Sequence, residues 1–149
     1  MKRVVLGAMA LLSVSGWAMA QTVGLKPEEV VKARQAGMDL TGGIVGVMKA
    51  GIAAGADVKG FEESAAALVA WAEAYPHLFP DGTQTAAGTK AKAEIWSDRA
   101  GFEKAATVFL TASNNLLAAA KAGDKAAFAT AFTAEGQSCG GCHRAYKNR

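Results

Sequence analysis

The residues with the clearest chemistry stand together near the C-terminus, in the run Cys139-Gly140-Gly141-Cys142-His143. This run holds the only two cysteines of the 149-residue chain and one of its two histidines. Two thiols three residues apart can reach the two vinyl groups of one haem, and the adjacent imidazole then faces the iron from the same side. The spacing therefore predicts one haem c attached covalently through Cys139 and Cys142, with His143 as the proximal iron ligand.

Two other sites could use this pair of cysteines. A redox disulfide in a C-x-x-C motif usually opens a helix in a βαβ unit, and no such unit is predicted here. A structural zinc site needs about four ligands, which two cysteines and two histidines barely supply. Both alternatives stay open at the level of the residues, and the haem-attachment pattern is the favoured one.

The first twenty residues have the pattern of an export signal. Lys2 and Arg3 form a short basic region, residues 4–12 are all apolar or glycine, and Ala18-Met19-Ala20 is a small-residue cleavage site. We expect residues 1–20 to be a cleaved signal peptide and residues 21–149 to be the mature domain. The expected location is the periplasm, without a membrane span after cleavage, since the apolar stretch is too short to cross a bilayer.

The charge balance argues against nucleic acid as a partner. The whole chain carries a formal charge of +3, but Lys2 and Arg3 belong to the expected signal peptide, which leaves 14 basic against 13 acidic residues. A net charge of +1 is too small for an electrostatic nucleic-acid footprint. With His143 assigned to iron, only His77 remains for acid–base work, so no Ser/His/Asp catalytic set is available and we expect no enzyme.

The mature chain predicts four amphipathic helices and one long loop. Apolar residues recur at helical spacing after Pro27, after about Val58, after Ser97-Asp98 and after Asp124. The loop runs from Pro76 to about residue 92, and no stretch alternates strictly enough for a strand. Four such helices predict an all-α, antiparallel four-helix bundle. Its many inward alanines leave room for a bulky apolar cofactor, or else they form a tightly packed core.

Further motifs, in their order along the chain, resemble one family. They are Arg34-Gln35 with Met38 in the first helix, the loop segment 78–83 (LFPDGT), the segment 94–98 (EIWSD), and Ala145-Tyr146-Lys147 after the C-terminal C-x-x-C-H. Together they resemble the cytochrome c′ family, the class II c-type cytochromes, over the whole mature chain. The resemblance implies a four-helix bundle with covalently bound haem, commonly a homodimer through its first two helices.

The resemblance also implies roles for individual residues. Arg34 and Gln35 lie where the family contacts the haem propionates, Met38 corresponds to the distal-side residue, and Lys147 lies near the exposed edge of the proximal histidine. Trp96 is a further candidate for the haem lining. The residues alone also allow plainer roles, with Arg34 as a surface cation and Met38 and Trp96 as core residues.

The residue on the other face of the iron decides the function. The candidates in the mature chain are His77, Met38 and Met48, and Met38 is favoured because it lies one helical turn after Arg34. If Met38 bonds the iron, His/Met ligation makes the protein an electron carrier, with an unknown redox partner. If Met38 only covers the iron, the resemblance implies a five-coordinate haem that binds NO or CO. We expect the electron carrier and keep the gas-binding protein as the alternative.

Overall fold

The computed structural model describes residues 24–149, so the expected signal peptide (residues 1–20) and its cleavage site lie outside the described residues. Four long helices and one single-turn helix make up this part of the chain: α1 (Pro27–Ala53), α2 (Glu62–Ala74), the single turn α3 (Glu94–Ser97), α4 (Arg99–Ala122) and α5 (Lys125–Tyr146). Short 3₁₀ turns precede and follow α2, at Val58–Phe61 and Tyr75–Leu78. The predicted all-α four-helix bundle is confirmed.

Three of the four long helices, α1, α4 and α5, start at residues suited to the position. Pro27 opens α1, and the carboxylate of Glu29 accepts a hydrogen bond from the backbone N–H of Lys26. Asp98 accepts from the N–H of Gly101 at the start of α4, and Asp124 accepts from two N–H groups at the start of α5. These carboxylates occupy the N-terminal donors that a helix cannot satisfy itself.

The connection between α2 and α4 is where the structure adds detail to the predicted loop. The segment begins with the 3₁₀ turn Tyr75–Leu78 and ends with the single turn α3, which the sequence pattern did not predict. An isolated antiparallel bridge joins Ala91 to Lys147, and it is the only β-type pairing within residues 24–149. The bridge holds the end of the loop against the end of α5.

Two groups of side chains fill the interior. The first, which we call the aliphatic cluster, joins α1, α2, α4 and α5 around the fully buried Met48, Leu68, Leu116 and Phe128. The second, the aromatic cluster, lies nearer the C-terminal end of α5 and consists of Ala72, Tyr75, Ile95, Phe102, Ala106 and Phe109, with Phe79, Trp71, Trp96 and Tyr146 against it. Cys139 and Met38 pack against the aromatic cluster, so the haem-attachment motif and the candidate distal residue meet there.

Glycine lets α1 closely approach both α2 and the 3₁₀ turn that precedes it. A Cβ on Gly37 would collide with the ring of Trp71, and one on Gly51 would collide with Phe61. Gly37 therefore fixes the position of the residue that follows it, Met38, relative to α2. None of the helices in the described part of the chain is long and apolar enough to cross a membrane.

Candidate haem-binding site

A cavity of about 460 Å³ lies between the first half of α1, the α2–α4 connection and the end of α5. Its volume falls in the range of about 300–1,000 Å³ that is usual for small-molecule sites. The walls of the cavity are largely aromatic and apolar, with polar and charged side chains among them. The lining residues are Arg34, Gln35, Met38, Asp39, Tyr75, Phe79, Lys90, Ala91, Ile95, Phe102, Cys142, His143, Tyr146 and Lys147. Five of the seven predicted site residues are in this lining.

The haem-attachment motif lies in the last turns of α5, where both cysteines are free. Cys142 and His143 line the cavity, and Cys139, one turn earlier, packs against the aromatic cluster. Partial desolvation, and then the charge of Lys147, lower the pKa of His143. The lowered pKa favours the neutral imidazole, which is the form that ligates a metal.

Met38 lines the cavity from α1, while His143 lines it from α5. The two potential axial ligands thus come from different helices onto one cavity. The other two distal candidates lie elsewhere: Met48 is fully buried in the aliphatic cluster, and His77 is an exposed residue of the 3₁₀ turn. Of the three candidates, only Met38 shares the cavity with the proximal histidine.

Arg34 is buried, at 4% exposure, and holds the loop that walls the cavity. Its guanidinium donates hydrogen bonds to the carbonyl of Leu78 at 3.1 Å, the hydroxyl of Thr83 at 3.1 Å and the hydroxyl of Thr89 at 2.6 Å. It also lies over the ring of Phe79, 4.4 Å from the centroid. Burial lowers the pKa of this guanidinium. The neighbouring Gln35 donates to the carbonyl of Gly88 at 2.8 Å, so both residues bind the same loop.

Trp96 does not line the cavity. Its indole N–H donates to the carbonyl of Phe79 at 3.1 Å, and its ring meets that of Phe79 at a centroid distance of 6.1 Å. Trp96 therefore supports a wall residue from behind, which matches the packing role that the sequence left open.

These features can be compared with known proteins. The profile of the family described as cytochrome c′ matches residues 29–147. The cytochrome c′ of Rubrivivax gelatinosus is 35% identical over 127 residues, covering 83% of this chain and 98% of that protein. The chain belongs to the cytochrome c′ family.

Solved structures of cytochromes c′ agree in fold. One, described as having an unusual ligand-controlled dimer dissociation, superposes with a TM-score of 0.80 at 32% identity, covering 85% of this chain and 99% of that one. A nitric oxide complex of a variant cytochrome c′ from Alcaligenes xylosoxidans superposes with a TM-score of 0.77 at 33% identity, covering 85% and 98%. The family is one of c-type cytochromes, which implies covalently bound haem c here.

The residues present fit the haem that the cytochrome c′ family implies. The cavity combines a neutral imidazole, a thioether and an adjacent thiol with aromatic walls, and Phe79 and Phe102 stand edge to face at 5.0 Å between centroids. Apolar and aromatic surroundings suit the faces of a porphyrin, and His, Met and Cys are the donors that haem proteins use. His143, and Met38 where it bonds the iron, would be the axial ligands, and Cys139 and Cys142 would form the thioethers.

Several residues around the site were not predicted from the sequence. The aromatic walls Tyr75, Phe79 and Phe102 come from three separate parts of the chain. Tyr75 and Phe102 belong to the apolar residues at helical spacing after Val58 and after Ser97-Asp98, but such spacing does not say which residues face a cavity. Glu135 was also missed: it is fully buried on α5, four residues before Cys139, and its place on the inward stripe was the available signal.

Proposed function

We propose that this protein is a periplasmic one-electron carrier that holds one haem c through Cys139 and Cys142, with His143 and Met38 as axial ligands. The observation that carries the proposal is that the Met38 and His143 side chains line one cavity from two different helices. The signal pattern of residues 1–20 supports the periplasm, where haem c is attached after export. We propose no substrate turnover, since no spare catalytic set accompanies the cavity.

The bound haem supplies a one-electron iron couple, and the chain fixes the groups around it. Gly37 seats α1 against Trp71, so the backbone that carries Met38 is held by packing. Arg34 holds the opposite wall through its three hydrogen bonds to the loop. A rigid site changes little between oxidation states, which favours electron transfer, and a methionine ligand raises the reduction potential.

Binding of NO or CO is the second candidate function. A relative with a TM-score of 0.77 is described as a nitric oxide complex. Aromatic and aliphatic side chains share the cavity with Met38, and an apolar distal space admits small neutral gases when the thioether does not bond the iron. The two candidates thus differ in one bond, between the Met38 sulfur and the iron.

Optical spectra of the exported protein, oxidised and reduced, with and without CO or NO, distinguish the two candidates. We expect a low-spin spectrum with the methionine–iron charge-transfer band, unchanged by CO. This band should disappear in Met38→Leu and persist in the matched control Met48→Leu, since Met48 lies in the aliphatic cluster. A high-spin spectrum that shifts with CO or NO would refute electron carrying through His/Met ligation and favour gas binding. Absence of a Soret band would refute both.

A basic rim at the cavity mouth supports an acidic surface on the redox partner. We define it as Lys90 and Lys147, which line the cavity, together with their chain neighbours Lys92, Arg144 and Arg149. The Ala91–Lys147 bridge joins the two segments that carry it, and the Lys92 ammonium donates to the Arg144 carbonyl at 2.9 Å. Cations that are grouped at one rim attract an acidic partner to that rim, even though this protein as a whole has a low net charge.

Charge reversal tests the basic rim. The double variant Arg144→Glu/Lys147→Glu should slow low-salt electron exchange with an acidic electron donor about tenfold and weaken its salt dependence. The matched control is Lys121→Glu/Lys125→Glu at the far end of the bundle, where the rate should stay near that of the wild type. Equal rates for the two double variants would contradict docking at this rim.

A stripe of small apolar residues supports a homodimer through α1. Exposed residues recur there at alternating intervals of three and four: Ala33, Ala36, Leu40, Gly43, Val47 and Ala50. Leu40 is 70% exposed and Val47 is 61% exposed. This spacing forms the seam by which two helices pack together, and small residues allow close approach. Sedimentation should give a dimer for the wild type and a monomer for Leu40→Glu/Val47→Glu; a monomeric wild type would contradict the proposal.

A further inference from the structure

Glu135 is a carboxyl group in the interior of the bundle that the proposed electron transfer does not use. It is fully buried between α4 and α5, and its side-chain partner is the equally buried hydroxyl of Ser113. The Ser113 oxygen lies 3.1 Å and 3.3 Å from the two carboxyl oxygens of Glu135. Within residues 24–149 no cation forms an ion pair with Glu135. A buried carboxylate without a cation is costly, which favours the neutral form.

The hydrogen-bonding geometry around Ser113 suits both the protonated and the ionised form of Glu135. Besides its contact with Glu135, the Ser113 hydroxyl lies 3.0 Å from the backbone carbonyl of Phe109. When Glu135 is protonated, its O–H can donate to Ser113, whose own proton then goes to the Phe109 carbonyl. When Glu135 is ionised, the Ser113 hydroxyl turns its single proton to the carboxylate. A rotation of the Ser113 hydroxyl can therefore satisfy both protonation states of Glu135.

The position of Glu135 along α5 brings it near the haem-attachment motif. It precedes Cys139 by one helical turn, about 6 Å along the axis, and His143 by two turns, about 12 Å. The titratable groups that face this interior are Cys139 on the same helix, followed by Cys142 and Tyr75, while α4 presents the hydroxyl of Ser113. Once both cysteines are thioethers, Glu135 and Tyr75 are the titratable groups left on this side.

We propose that Glu135, held by Ser113, is a proton-binding site linked to the oxidation state of the haem, so that the protein takes up a proton when it accepts an electron. When a one-electron donor reduces the bound haem, a proton from the solvent would add to a carboxylate oxygen of Glu135. No covalent bond between heavy atoms forms or breaks, and oxidation returns both the electron and the proton. The inference rests on the proposed function only in requiring a redox-active haem.

The expected coupling follows from Coulomb's law. A unit charge at the level of His143, about 12 Å from Glu135 along α5, would change the proton affinity of Glu135 about tenfold between oxidation states at an effective dielectric constant of about 20. Linkage requires that the proton change the electron affinity by the same factor, which is about 59 mV for a one-electron couple. Burial, only partly offset by the Ser113 hydrogen bond, raises the pKa of Glu135 to about 7, so the effect falls near neutral pH.

Spectroelectrochemical titration of the haem-loaded protein as a function of pH tests this site. The reduction potential of the wild type should fall by about 59 mV in total as the pH rises, and the fall should begin near the pKa of Glu135. Glu135→Gln should remove this step, and Ser113→Ala should move it to higher pH because the hydroxyl stabilises the carboxylate. Glu63→Gln, which removes an exposed carboxylate on α2 that does not line the cavity, should keep the step.

A second readout follows the proton itself. The infrared difference spectrum between reduced and oxidised protein should show a protonated-carboxyl band on reduction that Glu135→Gln lacks. A potential that is flat in pH, or a step that persists in Glu135→Gln, overturns the inference and leaves the proposed function intact. If Glu135→Gln does not bind haem, the Ser113→Ala variant tests the inference. A step in its reduction potential at higher pH than in the wild type supports the inference, and a step at the same pH overturns it. A chain without haem overturns both proposals.

Discussion

Replacing Arg34 by methionine tests whether this buried guanidinium holds the wall of the cavity. Arg34 donates hydrogen bonds to a backbone carbonyl and two threonine hydroxyls of the loop, at 2.6–3.1 Å. Methionine has similar length and can keep the contact with Phe79, but it donates no hydrogen bond. The variant therefore separates the hydrogen bonds of Arg34 from its packing.

The expected loss of stability in Arg34→Met follows from the three hydrogen bonds of Arg34 and from the cost of burying its charge. A hydrogen bond from a charged donor contributes about 1.5–3 kcal/mol, and desolvation of the guanidinium offsets part of the sum. Thr83 and Thr89 keep other partners, the Pro80 carbonyl and the Ala91 N–H, so chiefly one carbonyl loses its donor. We expect the free energy of unfolding to fall by about 2–4 kcal/mol and Tm to fall by about 10 °C.

Thermal unfolding of the haem-loaded protein measures the global effect, and the rate of tryptic cleavage at the exposed Lys90 measures opening of the loop. Lys32→Met is the matched control, since Lys32 is an exposed cation on the same helix. Arg34→Lys should recover at most half of the loss, because one ammonium group cannot reproduce the fork of the guanidinium. If Arg34→Met loses less than about 1 kcal/mol and is cleaved at the rate of Lys32→Met, Arg34 does not hold the loop.

Two further predictions concern the bundle. Gly37→Val should lower the free energy of unfolding by about 1–3 kcal/mol, because the new side chain meets Trp71. The control Gly136→Ala, at an exposed helical position with open space around it, should leave the stability unchanged or raise it. Equal thermal unfolding of the two variants would contradict the close approach of α1 and α2. The raised pKa of Glu135, about 7 in the folded protein against 4.5, means that the folded state binds more protons than the unfolded state between these values, so stability falls as pH rises through them. Glu135→Gln should therefore raise the free energy of unfolding by about 3 kcal/mol at about pH 8 and by little at about pH 4, as measured by denaturant titration. A difference between variant and wild type that stays constant across pH would contradict burial of an ionising carboxyl group.

Much of the fold was predictable because its signals are local. The carboxyl caps at Asp98 and Asp124 and the left-handed Gly123 mark helix ends that depend on a few neighbouring residues. Helical spacing of apolar residues then predicted four helices and, from their number, a four-helix bundle. The single turn α3 was missed because a four-residue helix has no periodicity of its own and depends on contacts with α4.

The site was predictable where chemistry requires a fixed spacing within one helix, and less so elsewhere. Cys139, Cys142 and His143 form such a motif, while Met38 and Arg34 were placed by a family resemblance. The double role of Arg34, lining the cavity and holding the loop, depends on partners 44 to 55 residues away. No spacing rule reports contacts at that separation.

The sequence by itself determined the helical class and the haem-attachment residues, because periodicity and the C-x-x-C-H spacing act over a few residues of one chain segment. Only the tertiary structure decided that Met38 faces the same cavity as His143, that Trp96 stands behind Phe79, and that Glu135 meets Ser113 without a cation. These are contacts between helices, and they depend on which faces pack together and how closely. Packing sets the environment of each polar group, and the environment sets what that group can do.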